Sequence, residues 1–251
     1  MNIRIKITYD GTNFYGFQKQ DRGRTIEKVL TKAVENTVKH PVKLFYSGRT
    51  DSGVHAFGQY ANFYTESTID IGNLPKVINY HLPTDISVVE AKYVDDNFHS
   101  RYSAKGKFYR YIIYNNKYRN ALFENRAWQY PHKIDMEILE KSLSYLVGEH
   151  DFKSFMGRYA TVKDTIRIIH KIEVNKVGDV INIDFYGKSF LKNMVRIIVG
   201  TSVQISSKNK SPEITKEALV RKERISAGMT APACGLYLMD VYFRGNKWKN
   251  I

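Results

Sequence analysis

The chain has 251 residues, 43% hydrophobic and 13% aromatic, with a formal net charge of +14. That balance excludes a disordered chain and fits one large domain or two of ordinary size, either able to bury a core. The positive excess points to a polyanionic partner. Cations interleaved with rings, as in Lys105-Gly106-Lys107-Phe108-Tyr109-Arg110-Tyr111, suit phosphates and bases better than lipid headgroups.

The single cysteine, Cys234, excludes an intrachain disulfide framework. The seven histidines are scattered without ligand spacing, so no metal is expected. The first residues alternate without the apolar core of a signal peptide. No apolar run approaches the roughly 20 residues that span a bilayer. A reducing, cytoplasmic setting is expected.

In chain order, residues 3–9 put Ile3, Ile5, Ile7 and Tyr9 on one face and Arg4, Lys6 and Thr8 on the other, the pattern of a half-buried strand. Thr25 can cap a helix striped by Ile26, Val29, Leu30, Ala33 and Val34, with Pro41 beyond its end. Strands are expected at 42–46 and 59–64, a short helix around Leu74, Val77 and Ile78, and a strand at 86–93. Strand, helix, strand, strand, helix, strand is the split-βαβ or ferredoxin-like order. A second set follows: a strand at 105–115, a helix at 134–147, a hairpin of 166–177 and 180–186 about Gly178-Asp179, an apolar helix at 190–204 and a strand at 235–243. The fold class expected is α+β, two tandem ferredoxin-like modules with an active-site cleft between them. The first, 1–104, carries the central loop; the second, 105–251, completes the cleft.

That central stretch is Tyr46-Ser47-Gly48-Arg49-Thr50-Asp51-Ser52-Gly53-Val54-His55-Ala56-Phe57-Gly58-Gln59. Its glycines permit strained backbone, and long ordered loops are often functional. Asp51 can serve as base, nucleophile or ion-pair partner, and Arg49 two residues away favours its charged form. Gly48 and Gly53 have phosphate-loop spacing, but Val54-His55 replaces the required Lys-Ser/Thr. An Asp10–Asp51 carboxylate pair is a weak signal, because Asp10-Gly11-Thr12 equally reads as a turn. Arg196 lies in an apolar helix, where its guanidinium is answered by a buried acid or else reaches solvent. Tyr109 either packs its ring in the core or stacks on an unstacked base, with Lys107 and Arg110 holding the backbone.

Several blocks resemble the TruA family of tRNA pseudouridine synthases. They are Gly48-Arg49-Thr50-Asp51-Ser52-Gly53-Val54-His55-Ala56, Tyr9-Asp10-Gly11-Thr12-Asn13-Phe14-Tyr15-Gly16-Phe17-Gln18, Phe98-His99-Ser100-Arg101, Lys107-Phe108-Tyr109-Arg110-Tyr111, Phe190-Leu191-Lys192-Asn193-Met194-Val195-Arg196 and Ala231-Pro232-Ala233-Cys234-Gly235-Leu236. Phe17 stands where the family usually has tryptophan, Ser52 where alanine is common, and Ile26-Glu27 after Thr25 also departs. The resemblance implies a cofactor-independent isomerase with Asp51 as catalytic carboxylate, Arg196 as its cation and Tyr109 against the target uracil. It also implies that Arg49 displaces the flipped base, that Leu236 lines the pocket, and that Thr50, His55, Lys107 and Arg110 bind substrate. The implied partner is tRNA, at uridines 38 to 40 of the anticodon stem-loop, with the enzyme a homodimer. The alternatives are a paralogue acting on another RNA such as rRNA, a non-catalytic RNA-binding chaperone, and a carboxylate-pair hydrolase.

Overall fold

The computed structural model describes residues 1–158 and 162–244. It is a mixed α+β fold with ten strands and five helices among the described residues. The chain divides into two compact units: Met1–Lys105 joined by residues 237–244, and Gly106–Leu236. The last strand, from Tyr237, groups with the first unit.

In the first unit β1 (Asn2–Tyr9) is paired antiparallel with β3 (His55–Tyr64) on one side and β4 (Ile86–Val94) on the other. The far edge of β3 takes the short β2 (Phe45–Tyr46), antiparallel, along its second half. Along its first half it takes β10 (Leu236–Tyr242), parallel, with Tyr237 opposite His55. The alternation in β1 does what period-2 geometry requires: Ile3, Ile5, Ile7 and Tyr9 are all buried. Two helices, α1 (Ile26–Val38) and α2 (Leu74–Tyr80), contribute Leu30, Val34, Leu74 and Ile78 to the core. Thr25 caps α1 as its sequence position requires, its side chain accepting from Lys28 N–H.

Two strands depart from the sequence expectation by more than one residue. β2 is two residues long, and β3 begins at His55 instead of Gln59. The extra residues find ladder partners remote in sequence, Tyr9 for Ala56 and Leu238 also for Ala56. Within β3, Gly58 leaves room for Met239 O, which a Cβ there would approach to 2.4 Å.

In the second unit β5 (Gly106–Tyr114), β9 (Val180–Gly187), β8 (Ile166–Val177) and β7 (Gly148–Asp151) pair in that order, all antiparallel. The short β6 (Trp128–Gln129) runs parallel to the end of β5. Gly178-Asp179 makes the expected two-residue connection, with Gly178 at φ +57°. Three helices complete the unit: α3 (Met136–Ser144), α4 (Met194–Ser207) and α5 (Glu213–Arg221). The sequence expectation started α4 four residues too early. Asn193, at φ 59°, is left-handed and cannot continue a helix; a separate turn precedes it, closed by Met194 N–H donating to Leu191 O at 3.1 Å. Among the described residues no helix is long and apolar enough to cross a membrane.

α4 carries a glycine whose role is steric. A Cβ at Gly200 would lie 2.1 Å from Met229 O, because the segment after α5 runs directly against the helix. In an exposed helix Gly→Ala gains about 1 kcal/mol from propensity. Here overpacking costs roughly 1–3 kcal/mol or more and reverses the sign. Gly200→Ala is expected to lower the urea midpoint with an unchanged slope; a higher midpoint would show that the helix and segment can separate freely.

Candidate active site

Between β2 and β3 lies the loop of residues 47–54, held from below and from one side. Gln59, fully buried, accepts from Ser47 Oγ at 2.5 Å and donates from Nε2 to Gly48 O at 2.8 Å. It thereby satisfies polar groups that burial would otherwise leave unpaired. Thr50 is buried, with Oγ1 2.8 Å from Tyr9 Oη, and its carbonyl accepts from Phe17 N–H at 3.1 Å. Burial pushes the Tyr9 phenol well above its ordinary value, so it remains a neutral hydrogen-bonding group.

The segment after β1 closes on this loop with two glycines. A Cβ at Gly11 would lie 2.0 Å from Val54 O, and one at Gly16 would lie 3.0 Å from Thr50 O. Gly16 also has φ +87°, a left-handed conformation that side chains disfavour. The sequence blocks around residues 9–18 and 48–56 are thus one packed object. Phe17, where tryptophan was the usual choice, is fully buried between Tyr9 and Tyr46, with ring centroids 6.3 and 4.6 Å away. Ser52 adds a tie of its own, Oγ donating to Phe14 O at 3.0 Å. On this frame Asp51 is half-buried and Arg49 exposed.

His55 was expected among the substrate-binding residues. It is 2% exposed, its ring stacked on Tyr237 at 4.7 Å and its Nδ1 3.1 Å from both Gly11 N and Asp10 Oδ1. Those contacts make it a support beneath the loop, with Asp10 committed to the same turn through Thr12.

In the second unit Tyr109 is buried on β5, with the Phe190 ring edge-on at 5.1 Å. Lys107 shares its face by strand alternation, but Arg110 points the other way. Arg110 instead forms a two-bond fork with Asp184, directly opposite on β9, at 2.7 and 2.6 Å. Alternation puts it on the strand face opposite to Tyr109, and the Asp184 carboxylate pairs its charge. The Asp184 bond holds the Arg110 guanidinium above its usual value.

Arg196, in the first turn of α4, is half-buried and anchored by carbonyl and amide oxygens. Its Nε donates to Ala231 O at 2.8 Å and its Nη1 to Asn193 Oδ1 at 3.0 Å. Leu236 is buried at the start of β10. Just before it, a Cβ at Gly235 would meet Ile112 O and Tyr111 Cζ, each at 2.7 Å. The supports that sequence reasoning missed are Gln59, Gly11, Gly16, Asn193 and Ala231. A polar Gln at the start of the apolar run Gln59–Tyr64 was the available signal for the first.

A groove of about 850 Å³ in the first unit, between α1, β2 and residues 99–102, contains none of the expected site residues. Among the described residues no group of three or more His, Cys, Asp or Glu could hold a metal ion.

A family model described as tRNA pseudouridine synthase matches residues 5–103 and 143–244. The chain is 40% identical over 243 residues to tRNA pseudouridine synthase A of Acetivibrio thermocellus, covering 96% of this chain and 99% of the relative. It is 42% identical over 245 residues to the protein of that name from Bacillus licheniformis, covering 97% and 99%. The matched spans include Asp51 and Arg196 and leave out Tyr109.

Two substitutions separate frame from site. Gly16→Ala places Cβ at a positive φ beside Thr50 O, at a cost of roughly 2 kcal/mol read by chemical denaturation. Unchanged stability would show that the loop yields. Arg110→Ala leaves Asp184 without its partner and is expected to lower stability by about 1–2 kcal/mol, given its partial exposure, while leaving the tRNA KM within twofold. A large rise in KM with unchanged stability would return Arg110 to the site.

Proposed function

The chain belongs to the tRNA pseudouridine synthase family, and on that premise we propose that it isomerises uridine to pseudouridine at positions 38 to 40 of the tRNA anticodon stem-loop. The observation that carries this reading is Asp51. It is a half-buried carboxylate, inside the matched span, on a loop fixed by Gln59, Tyr9, Gly11 and Gly16. Such immobilisation is what a catalytic carboxylate requires, because misplacement by about 1 Å can cost on the order of 10²-fold in rate.

The reaction breaks the N1–C1′ bond of uridine, turns the uracil, joins C5 to C1′, and moves the C5 proton so that N1 ends protonated. No electron enters or leaves. Asp51 acts by attack at C1′ or by removing a ribose proton. The base leaves the helical stack to react, and unstacking costs a few kcal/mol, offset in this reading by packing of the uracil against Tyr109. Arg49, exposed beside Asp51, is placed in the reading to occupy the space the base vacates. Arg196 is the cation assigned to the carboxylate, Leu236 an apolar pocket wall, and Lys107 a backbone contact. The +14 charge serves phosphate attraction, which positions RNA without reading sequence.

The same proposal takes each unit as a ferredoxin-like module acting in the cytoplasm, two copies to the active enzyme. The order β4-β1-β3 with β2 beyond, and the order β5-β9-β8, support the modular part.

Asp51→Asn keeps size and removes the charge. It is expected to lower pseudouridine formation by at least about 10²–10⁴-fold while tRNA affinity stays within a few-fold. Retained isomerisation would overturn the assignment. Mass spectrometry of treated tRNA checks the reaction class, since isomerisation leaves mass unchanged and release of uracil would mean hydrolysis. Chemical mapping of pseudouridine in tRNA and rRNA with and without the protein identifies the uridines.

A further inference from the structure

The second unit holds a concavity of about 630 Å³ whose lining includes Arg158, Lys192 and Arg224. None of its described lining residues is acidic. Three cations turned into one polar hollow repel each other, and Arg224 registers it: burial first, then the Arg158 charge, push its guanidinium below the ordinary arginine value.

The arrangement is built into the fold. Arg224 Nη1 donates to Ala227 O at 3.2 Å and Gly228 O at 2.9 Å, and Nη2 to Thr230 Oγ1 at 3.3 Å. Of the five guanidinium N–H donors, those bonds use two on Nη1 and one on Nη2, and among the described residues no bond uses Nε–H; an arginine edge of this kind can grip two oxygens of one anion. The Ala227–Thr230 segment is itself fixed to α4, Gly228 N–H donating to Thr201 Oγ1 at 2.8 Å. On the opposite wall Gly157 N–H donates to Lys192 O at 2.8 Å, and a Cβ at Gly157 would lie 2.7 Å from Asn193 Nδ2. Arg158 and Lys192 therefore start from backbones locked together.

We propose that this pocket binds a phosphate group, with Arg224 as the two-bond fork and Arg158 and Lys192 as flanking charges. Its expected source is a phosphodiester of the substrate RNA, a clause that rests on the isomerase reading; the other source of the same chemistry is free phosphate. Asn193 joins the pocket to the candidate site, lining the hollow while its Oδ1 accepts from Arg196. A phosphate held here would sit one side chain away from that arginine.

The test compares the full chain with Arg158→Gln and Lys192→Gln, both exposed and neither bonding the frame through its side chain among the described residues. Arg224→Lys keeps the charge and loses the fork. Lys117→Gln, an exposed cation outside the pocket, is the control. Each is titrated with inorganic phosphate, followed by NMR, and with tRNA across a salt series. Arg158→Gln and Lys192→Gln are each expected to weaken phosphate binding and to raise the tRNA dissociation constant roughly threefold or more. Each should also reduce the slope of log affinity against log salt by about 0.7–1, while Lys117→Gln changes neither. Lost phosphate binding with unchanged tRNA affinity would support the pocket and assign it to free phosphate. Variants indistinguishable from Lys117→Gln in both titrations would overturn the site. Binding alone is read, so a chain that isomerises nothing would end the isomerase reading and leave this result standing.

Discussion

Two glycines set how close the segment after β1 can come to the loop that carries Asp51, and the first unit is arranged around that approach. With Gly11 a would-be 2.0 Å from Val54 O, any side chain there forces the two segments apart. Tyr9 and Thr50 then lose their hydroxyl contact, and Phe17 loses the carbonyl that receives its N–H. Backbone proximity is a stiffer constraint than side-chain packing, because no rotamer change can relieve it. Gln59 supplies the complementary restraint from the strand side, so the loop is fixed at both ends by groups that are themselves buried.

The second unit handles charge in two different ways. Arg110 meets a carboxylate across the strand pair, and its charge is spent inside the protein. Arg224 meets carbonyl and hydroxyl oxygens, which orient the guanidinium and leave its charge intact. The distinction matters in a chain of net charge +14, because only cations of the second kind add to the field that an incoming polyanion meets.

What was legible in the sequence was local. The alternation in β1, the Thr25 cap and the Gly178-Asp179 turn each depend on neighbours a few residues away, and each formed as read. The early start of β3 depends on β10, paired from the far end of the chain, and no local pattern announces it. α5 escaped because its buried stripe is only Thr215, Ala218 and Leu219, after Pro212 and amid charged residues. For the site, Asp51 and its loop were readable as a motif, whereas the Asp184 partner of Arg110 required the cross-strand register. Period-2 alternation is enough to place Arg110 on the face opposite to Tyr109.

The segment 227–231 connects these themes, because it touches α4 at several levels. Met229 O lies where a Gly200 side chain would be, Gly228 N–H is bonded to Thr201, and Ala231 both accepts from Arg196 Nε and donates its N–H to Arg196 O. The same few residues hold Arg224 through the carbonyls of Ala227 and Gly228. A small displacement of this strap would therefore move two guanidinium groups together. A larger residue at Gly200 or Gly228 would disturb charge placement as well as packing. Stability of the helix contact and alignment of the cations are one property in this unit, set by how near a peptide backbone can lie to α4.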